Sequence, residues 1–121
     1  MSRQIDISYE DAAGKDIEIE IRPPYYLLGT QQPSLKFWSI PCLKEVGIER
    51  LTILGETDPV NFWGWDDIAV LGRELELLAK HLESVDFHPE AKAQWLSHLT
   101  YCYHLLIAST PRGCTPKLGI G

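Results

Sequence analysis

Histidine and cysteine side chains are the first candidates for chemistry in this sequence, because both ligate transition metals. His98 and Cys102 are four residues apart, so on a helix they would share one face. A closed zinc site takes four ligands, usually in short-spaced pairs, and no second pair of this kind accompanies the scattered His88, His104, Cys42 and Cys114. We therefore predict no metal and no other cofactor, with Cys102 filling the core and His98 at the margin of the core.

Catalytic groups have no recognisable motif in the chain. Cys114 stands next to Gly113 and near Arg112, whose charge could activate a thiol, but a thiol without its own base is usually inert. The adjacent acids Asp66 and Asp67 are explained by their place at a helix start, where carboxylates suit the free N–H groups and the dipole. No glycine-rich phosphate loop is present. We predict that the protein is not an enzyme.

Charge and composition exclude further classes of function. The formal net charge of −6 repels phosphate backbones, so we expect no nucleic-acid partner. It fits either a basic protein partner or ordinary solubility. We see no signal peptide and no apolar run long enough for a membrane span, and the three cysteines are an odd number without a CxxC pair. These features predict a cytoplasmic protein with no membrane partner.

Aromatic residues are the most unusual feature, with four tryptophans in 121 residues. Two interpretations of Phe62-Trp63-Gly64-Trp65 stay open: the rings close one end of the core, or they form an exposed binding patch. We expect a division in which part of the segment faces the core and at least one of Trp63 and Trp65 lies at a rim. The predicted binding residues, for a partner or a ligand, are Tyr25, Tyr26, Trp38, Phe62, Trp63 and Trp65.

The elements that would position these side chains follow from apolar periodicity. Residues 5–9 and 17–21 alternate with period two and predict a hairpin, and residues 35–40 and 48–54 are predicted as further strands. Apolar residues recur at three and four residues over about 66–83 and 89–108, which predicts two α-helices. Residues 110–121 lack any period and predict an irregular C-terminal tail.

Strands followed by helices, without βαβ alternation, are typical of an α+β domain. We predict one domain over residues 1–121, with an antiparallel sheet of about four short strands in the first half and both helices packed on one face. In size, acidity, tryptophan content and order of elements, the chain resembles small bacterial immunity proteins and antitoxin-like partners. That resemblance is one of build, and no motif carries over.

Three hypotheses for function follow. The first is a non-enzymatic module that binds another protein, as the resemblance implies. The second is a small-ligand domain with an aromatic-lined pocket made by Tyr25, Tyr26 and Trp38. The third is a homo-oligomeric subunit, in particular a homodimer with a two-fold interface, which is compatible with either of the others.

Overall fold

The computed structural model describes residues 2–121 and contains an antiparallel sheet of five strands with four helices. The predicted α+β class is confirmed. The strands are β1 (Ser2–Glu10), β2 (Asp16–Glu18), β3 (Leu27–Thr30), β4 (Val60–Trp63) and β5 (Thr115–Ile120). The helices are α1 (Gln31–Trp38), α2 (Pro41–Glu45), α3 (Gly64–His81) and α4 (Pro89–Ser109), with 3₁₀ turns at Leu51–Gly55 and Leu82–Ser84.

The sheet has the strand order β2-β1-β5-β4, and β3 pairs with the first residues of β1. The predicted hairpin is present, because β1 and β2 pair antiparallel with Tyr9 opposite Ile17. Its turn is stabilised by Asp11, whose Oδ1 accepts hydrogen bonds from the N–H groups of Ala13 and Lys15, both at 2.9 Å. A side chain that accepts two backbone donors fixes the turn, as expected for an Asx-type loop.

One face of the sheet is apolar and the two long helices pack against it. Side chains of a strand alternate between faces, and in β4 and the first part of β1 every second one is buried. The buried apolar set from the strands is Ile5, Ile7, Leu28, Val60, Phe62, Leu118 and Ile120. The sets that meet it are Ile68, Leu71, Leu75 and Leu78 from α3, and Trp95, Leu99, Cys102 and Leu106 from α4. The two predicted helices are therefore confirmed, with α3 ending at His81.

The prediction of an irregular tail over 110–121 is wrong. Residues Thr115–Ile120 form β5, which lies between β1 and β4 in the sheet. Pro116 hid this strand, because proline cannot donate a ladder hydrogen bond. Here the missing N–H costs nothing. The reciprocal bonds between Gln4 and Gly121 set the register, so the nitrogen of Pro116 points away from β1, and the pairing with β4 already stops at Lys117.

Two other predicted strands are helical. Residues 35–40 lie mostly in α1, where Ser34, Phe37 and Trp38 are buried at helical spacing. Residues 48–54 overlap the 3₁₀ turn Leu51–Gly55, and Ile53 in this turn is 38% exposed. Short apolar runs fit a helix as well as a strand, which is why periodicity alone misled here.

Glu74 is the buried acid that joins α3 to the 3₁₀ turn. The residue is only 4% exposed although it is charged. Its carboxylate accepts hydrogen bonds from the backbone N–H groups of Glu49 at 3.2 Å, Arg50 at 2.9 Å and Leu51 at 2.9 Å. A carboxylate at the first N–H groups of a helical turn satisfies donors that would otherwise be unpaired. It therefore fixes the segment that carries Arg50.

Candidate functional site

The passage from β4 directly into α3 positions the two exposed tryptophans. Phe62 points into the core and is fully buried, whereas Trp63, the next residue of the strand, points to the other face and is 60% exposed. Gly64 then takes φ +89°, a left-handed conformation that favours glycine, and α3 begins there. Trp65 follows in the first helical turn and is 46% exposed. The expected division of this segment between core and rim is confirmed.

Trp63 lies on the face of the sheet opposite to the helices. Strand pairing aligns Glu18, Ser8, Lys117 and Trp63 in one row across four strands. The Nζ of Lys117 lies 5.3 Å from the centroid of the Trp63 ring, which is the geometry of a cation–π contact. The same nitrogen pairs with Asp16 at 2.9 Å and Glu10 at 3.1 Å. Lys117 therefore holds the ring in place from one side and leaves much of it open.

The Lys117 ammonium is stabilised in its charged form by these two carboxylates. Hydrogen bonds from its Nζ to Asp16 and to Glu10 raise the pKa of Lys117, and their charges add to the effect. Because lysine is already protonated at neutral pH, the shift leaves its charge unchanged there. The contact with Trp63 is thus present throughout the physiological pH range.

Trp65 is anchored by its ring nitrogen. The indole Nε1–H donates to the backbone carbonyl of Cys114 at 3.2 Å, which ties the start of α3 to the loop before β5. Only one edge of the ring is engaged in this way, and nearly half of the residue stays exposed. Trp63 and Trp65 therefore present large apolar surfaces from fixed positions at the same end of the sheet.

The outer edge of β4 is closed by side chains. Arg50 donates from Nη2 to the carbonyl of Asn61 at 2.6 Å, and Asp67 accepts from the N–H of Trp63 at 3.0 Å. Arg50 and Asp67 also pair with each other at 3.2 Å. The hydrogen bond from Arg50 lowers the pKa of Asp67, and the Trp63 N–H adds to this. Asp67 thus acts at the helix start, as predicted for the pair Asp66-Asp67, and Trp63 is the N-cap residue.

Carboxylates lie on the same face of the sheet as Trp63. Register places four acids there: Asp6, Glu10, Asp16 and Glu18. Burial raises the pKa of the Asp6 carboxyl, the Gly119 N–H opposes this by hydrogen bonding, and the charge of Glu18 adds to the increase. We call these four acids together with Trp63 and Trp65 the binding face. It combines apolar rings with negative charge.

The other predicted binding residues lie elsewhere, and Tyr25, Tyr26 and Trp38, which one hypothesis placed in a common pocket, border three different depressions. Trp38 is 1% exposed, because it follows Ser34 by one helical turn and packs into the core beside Phe37. Tyr25 stacks on Tyr101 with ring centroids 4.1 Å apart and borders a groove along α4. Tyr26 borders a separate depression beside β1 and β2. The three residues thus lie in three separate regions of the structure.

His98 and Cys102 bind backbone carbonyls. His98 Nδ1 is 2.7 Å from the carbonyl oxygen of Leu27, and the Cys102 thiol donates to that of Tyr25 at 3.3 Å. Cys102 is fully buried in the core, as predicted, and burial raises the pKa of its thiol to about 12. Within residues 2–121, no group of three or more His, Cys, Asp and Glu side chains is placed to hold a metal ion. In the same range, no helix is both long and apolar enough to cross a membrane.

Sequence reasoning missed Lys117 and Arg50, the two cations that shape the binding face. Lys117 falls between Pro116 and Leu118, and the alternation around it is the signal that a strand prediction would have used. The role of Arg50 depends on a contact with β4 across the chain, which no local pattern reveals. Comparison with protein-family models, curated proteins and solved structures gives no match to this chain. The binding face itself is therefore the guide to function.

Proposed function

We propose that this protein is a non-enzymatic binding module that docks a basic protein partner on the binding face. The observation that carries the proposal is the exposure of Trp63 and Trp65, at 60% and 46%. The neighbouring Phe62 of β4 is fully buried in the core. Exposure of two large apolar rings to water is unfavourable in free energy. Tryptophan is also among the residue types most enriched in interface hot spots. Such rings are best explained by a partner that covers them.

The fixed orientation of both rings favours tight docking. Lys117 holds Trp63 and the Cys114 carbonyl holds Trp65, so little side-chain freedom is left to lose on association. Docking by strand addition at β4 is disfavoured, because Arg50 and Asp67 already engage the Asn61 carbonyl and the Trp63 N–H on its outer edge. A partner would therefore contact the rings and carboxylates through its side chains.

The charge of the face indicates the chemistry of the partner. Asp6, Glu10, Asp16 and Glu18 share this face with Lys117, within a chain of net charge −6. Lysine and arginine side chains of a partner would be attracted and could stack on the indole rings. In build the chain resembles immunity and antitoxin-like proteins. We therefore expect the partner to be a basic toxin that this protein binds in the cytoplasm and whose site it covers.

Site-specific photo-crosslinking in cells of the source organism tests this proposal. A photoreactive phenylalanine analogue is placed at Trp63, at Trp65 and, as a control, at Ile53, which is 38% exposed and lies outside the binding face. We expect the same discrete adduct from positions 63 and 65 and none from position 53. Mass spectrometry of the adduct should identify a protein rich in lysine and arginine at the contact.

The purified partner then permits a quantitative check. Trp63→Ala or Trp65→Ala should weaken its binding at least ~10-fold, as truncation of an aromatic hot spot does, while Ile53→Ala should leave it unchanged. No discrete adduct from either tryptophan, or equal adducts from all three positions, would refute the proposal.

A further inference from the structure

The outer side of α4 carries a long stripe without any charged residue. Glu90 and Lys92 in the first turn are the only Asp, Glu, Lys or Arg residues of this helix. Beyond them, the side turned away from the sheet is formed by Ala93, Leu96, Ser97, Thr100, Tyr101, His104, Leu105 and Ala108. With Tyr25, Ala79 and Leu82 these residues line a groove of about 810 Å³. A solvent-facing helix side is normally rich in charge, so this one is unusual.

The stripe has similar residues at equal distances from its centre between Thr100 and Tyr101. Counted outward from there, Ser97 matches His104, Leu96 matches Leu105, and Ala93 matches Ala108. In two antiparallel helices related by a two-fold axis at this centre, each residue lies level with its match on the second helix. Small residues then meet small residues, and a hydroxyl lies level with an imidazole.

We propose that this stripe docks against the same stripe of a second copy of this chain, with the two α4 helices antiparallel about a two-fold axis. The core-facing sides of the two α4 helices would point away from each other, because each packs against the sheet of its own copy. These sides carry Trp95, Leu99, Cys102 and Leu106. The alanines at both ends of the stripe permit close approach of the helices. Hydroxyl and imidazole groups at Ser97 and His104 satisfy one another across the interface.

Charge favours a second copy at this stripe over the binding face. Each chain has a net charge of −6, and the binding face carries four carboxylates, so most approaches of two copies are repulsive. The stripe lacks charge and avoids that repulsion. It also lies on the side opposite to the binding face, so both binding faces of the dimer stay free and the dimer is bivalent.

The size of the stripe predicts a weak dimer. From Ala93 to Ala108 the helix rises about 22 Å at about 1.5 Å per residue, and a helix is about 10 Å wide. The contact therefore covers less than the ~800 Å² per partner of a standard interface. We expect a dissociation constant in the micromolar range, which places the equilibrium within reach of sedimentation measurements.

Sedimentation velocity of the full chain at concentrations from ~5 to ~500 µM tests the proposal, because this range brackets a micromolar dissociation constant. Ala93→Lys and Ala108→Glu, both at exposed positions, should each weaken the dimer at least ~10-fold, because each places an unpaired charge in the contact. The double variant should regain dimerisation, since Lys at 93 then lies level with Glu at 108 of the second copy. Ala69→Lys on the exposed side of α3 is the matched control and should leave the dimer unchanged.

The helical circular dichroism of every variant is measured first, so that a loss of dimer is not confused with a loss of fold. A wild-type protein that stays monomeric over the whole range would overturn the proposal. So would a double variant no better than the single ones, which would exclude the antiparallel register. Binding of an apolar dye by a strictly monomeric protein would assign the groove to a small ligand instead. None of these results depends on the partner of the binding face.

Discussion

The Lys117 ammonium lies 5.3 Å from the centroid of the Trp63 ring and 2.9 Å from an oxygen of Asp16. One cation thus joins an exposed aromatic ring to an acidic neighbour. The ring is ordered without being covered, because Lys117 occupies one side of it and 60% of the residue is still exposed. A surface prepared in this way loses little freedom when a second protein covers it.

Tryptophan fluorescence should report this exposure directly. Trp38 and Trp95 are 1% and 4% exposed, so nearly all quenching by acrylamide should come from Trp63 and Trp65. Replacing both exposed residues with phenylalanine should shift the emission maximum to the blue and remove most of the quenching. An unchanged quenching constant would mean that the two rings are buried in solution.

Loss of the Glu74 carboxylate should destabilise the fold. Glu74→Ala leaves the N–H groups of Glu49, Arg50 and Leu51 without their acceptor. Unpaired buried donors cost about 1–3 kcal/mol each, so the free energy of unfolding should fall by roughly 3 kcal/mol in urea titrations. Glu76→Ala on the exposed side of α3 is the control and should change it by less than about 0.5 kcal/mol. Equal effects of both substitutions would contradict the buried role of Glu74.

Removal of the charge of Asp67 and removal of the charge of Asp6 should change the free energy of unfolding in opposite directions. The pKa of Asp67 is lowered by Arg50, so its charge stabilises the fold above the ordinary carboxyl range, and this contribution is lost as pH falls through the lowered pKa. Asp67→Asn should therefore be less stable than the wild type at neutral pH. The difference should stay below about 1 kcal/mol, because solvent screens the pair, and it should vanish in acid.

The pKa of Asp6 is raised by burial, so its charge disfavours the folded state at neutral pH, and stability is regained as pH falls through the raised pKa. Asp6→Asn should be the more stable protein at neutral pH, and its amide oxygen can still accept the Gly119 N–H. This gain should also vanish below the ordinary carboxyl range. Thermal unfolding of both variants across the acid range measures the two signs, and effects of equal sign would contradict these environments.

The long periodic elements could be predicted from the sequence, whereas the short ones could not. The stripes of α3 and α4 extend over several turns, so local pattern and tertiary packing agree on a helix. In α1 only Ser34, Phe37 and Trp38 are buried, which is too few to distinguish the helical period of about 3.6 residues from the strand period of two. Strand β5 was hidden for a different reason, since the tolerance for Pro116 depends on where its neighbour β4 ends.

The candidate site was only partly accessible from the sequence. The alternation of Phe62 and Trp63 indicated that one ring faces the core and the other faces water. The period-two alternation of residues 5–9 and 17–21 places the acids within them on one face of the predicted hairpin. What joins these groups is the row from Glu18 to Trp63 across four strands, and that row exists only because β5 lies between β1 and β4. Long-range register of this kind has no local sequence signal.

The affinity of the crosslinked partner for Trp63→Ala and for the wild type, each titrated over a range of salt, tests the central claim most directly. We expect the substitution to weaken binding at least ~10-fold at every salt concentration, as for an aromatic hot spot. Added salt should weaken the binding of both proteins in parallel, because the carboxylates attract a basic partner. Affinity that is unaffected by the loss of Trp63, or that rises with salt, would contradict the assignment of this face as the binding site.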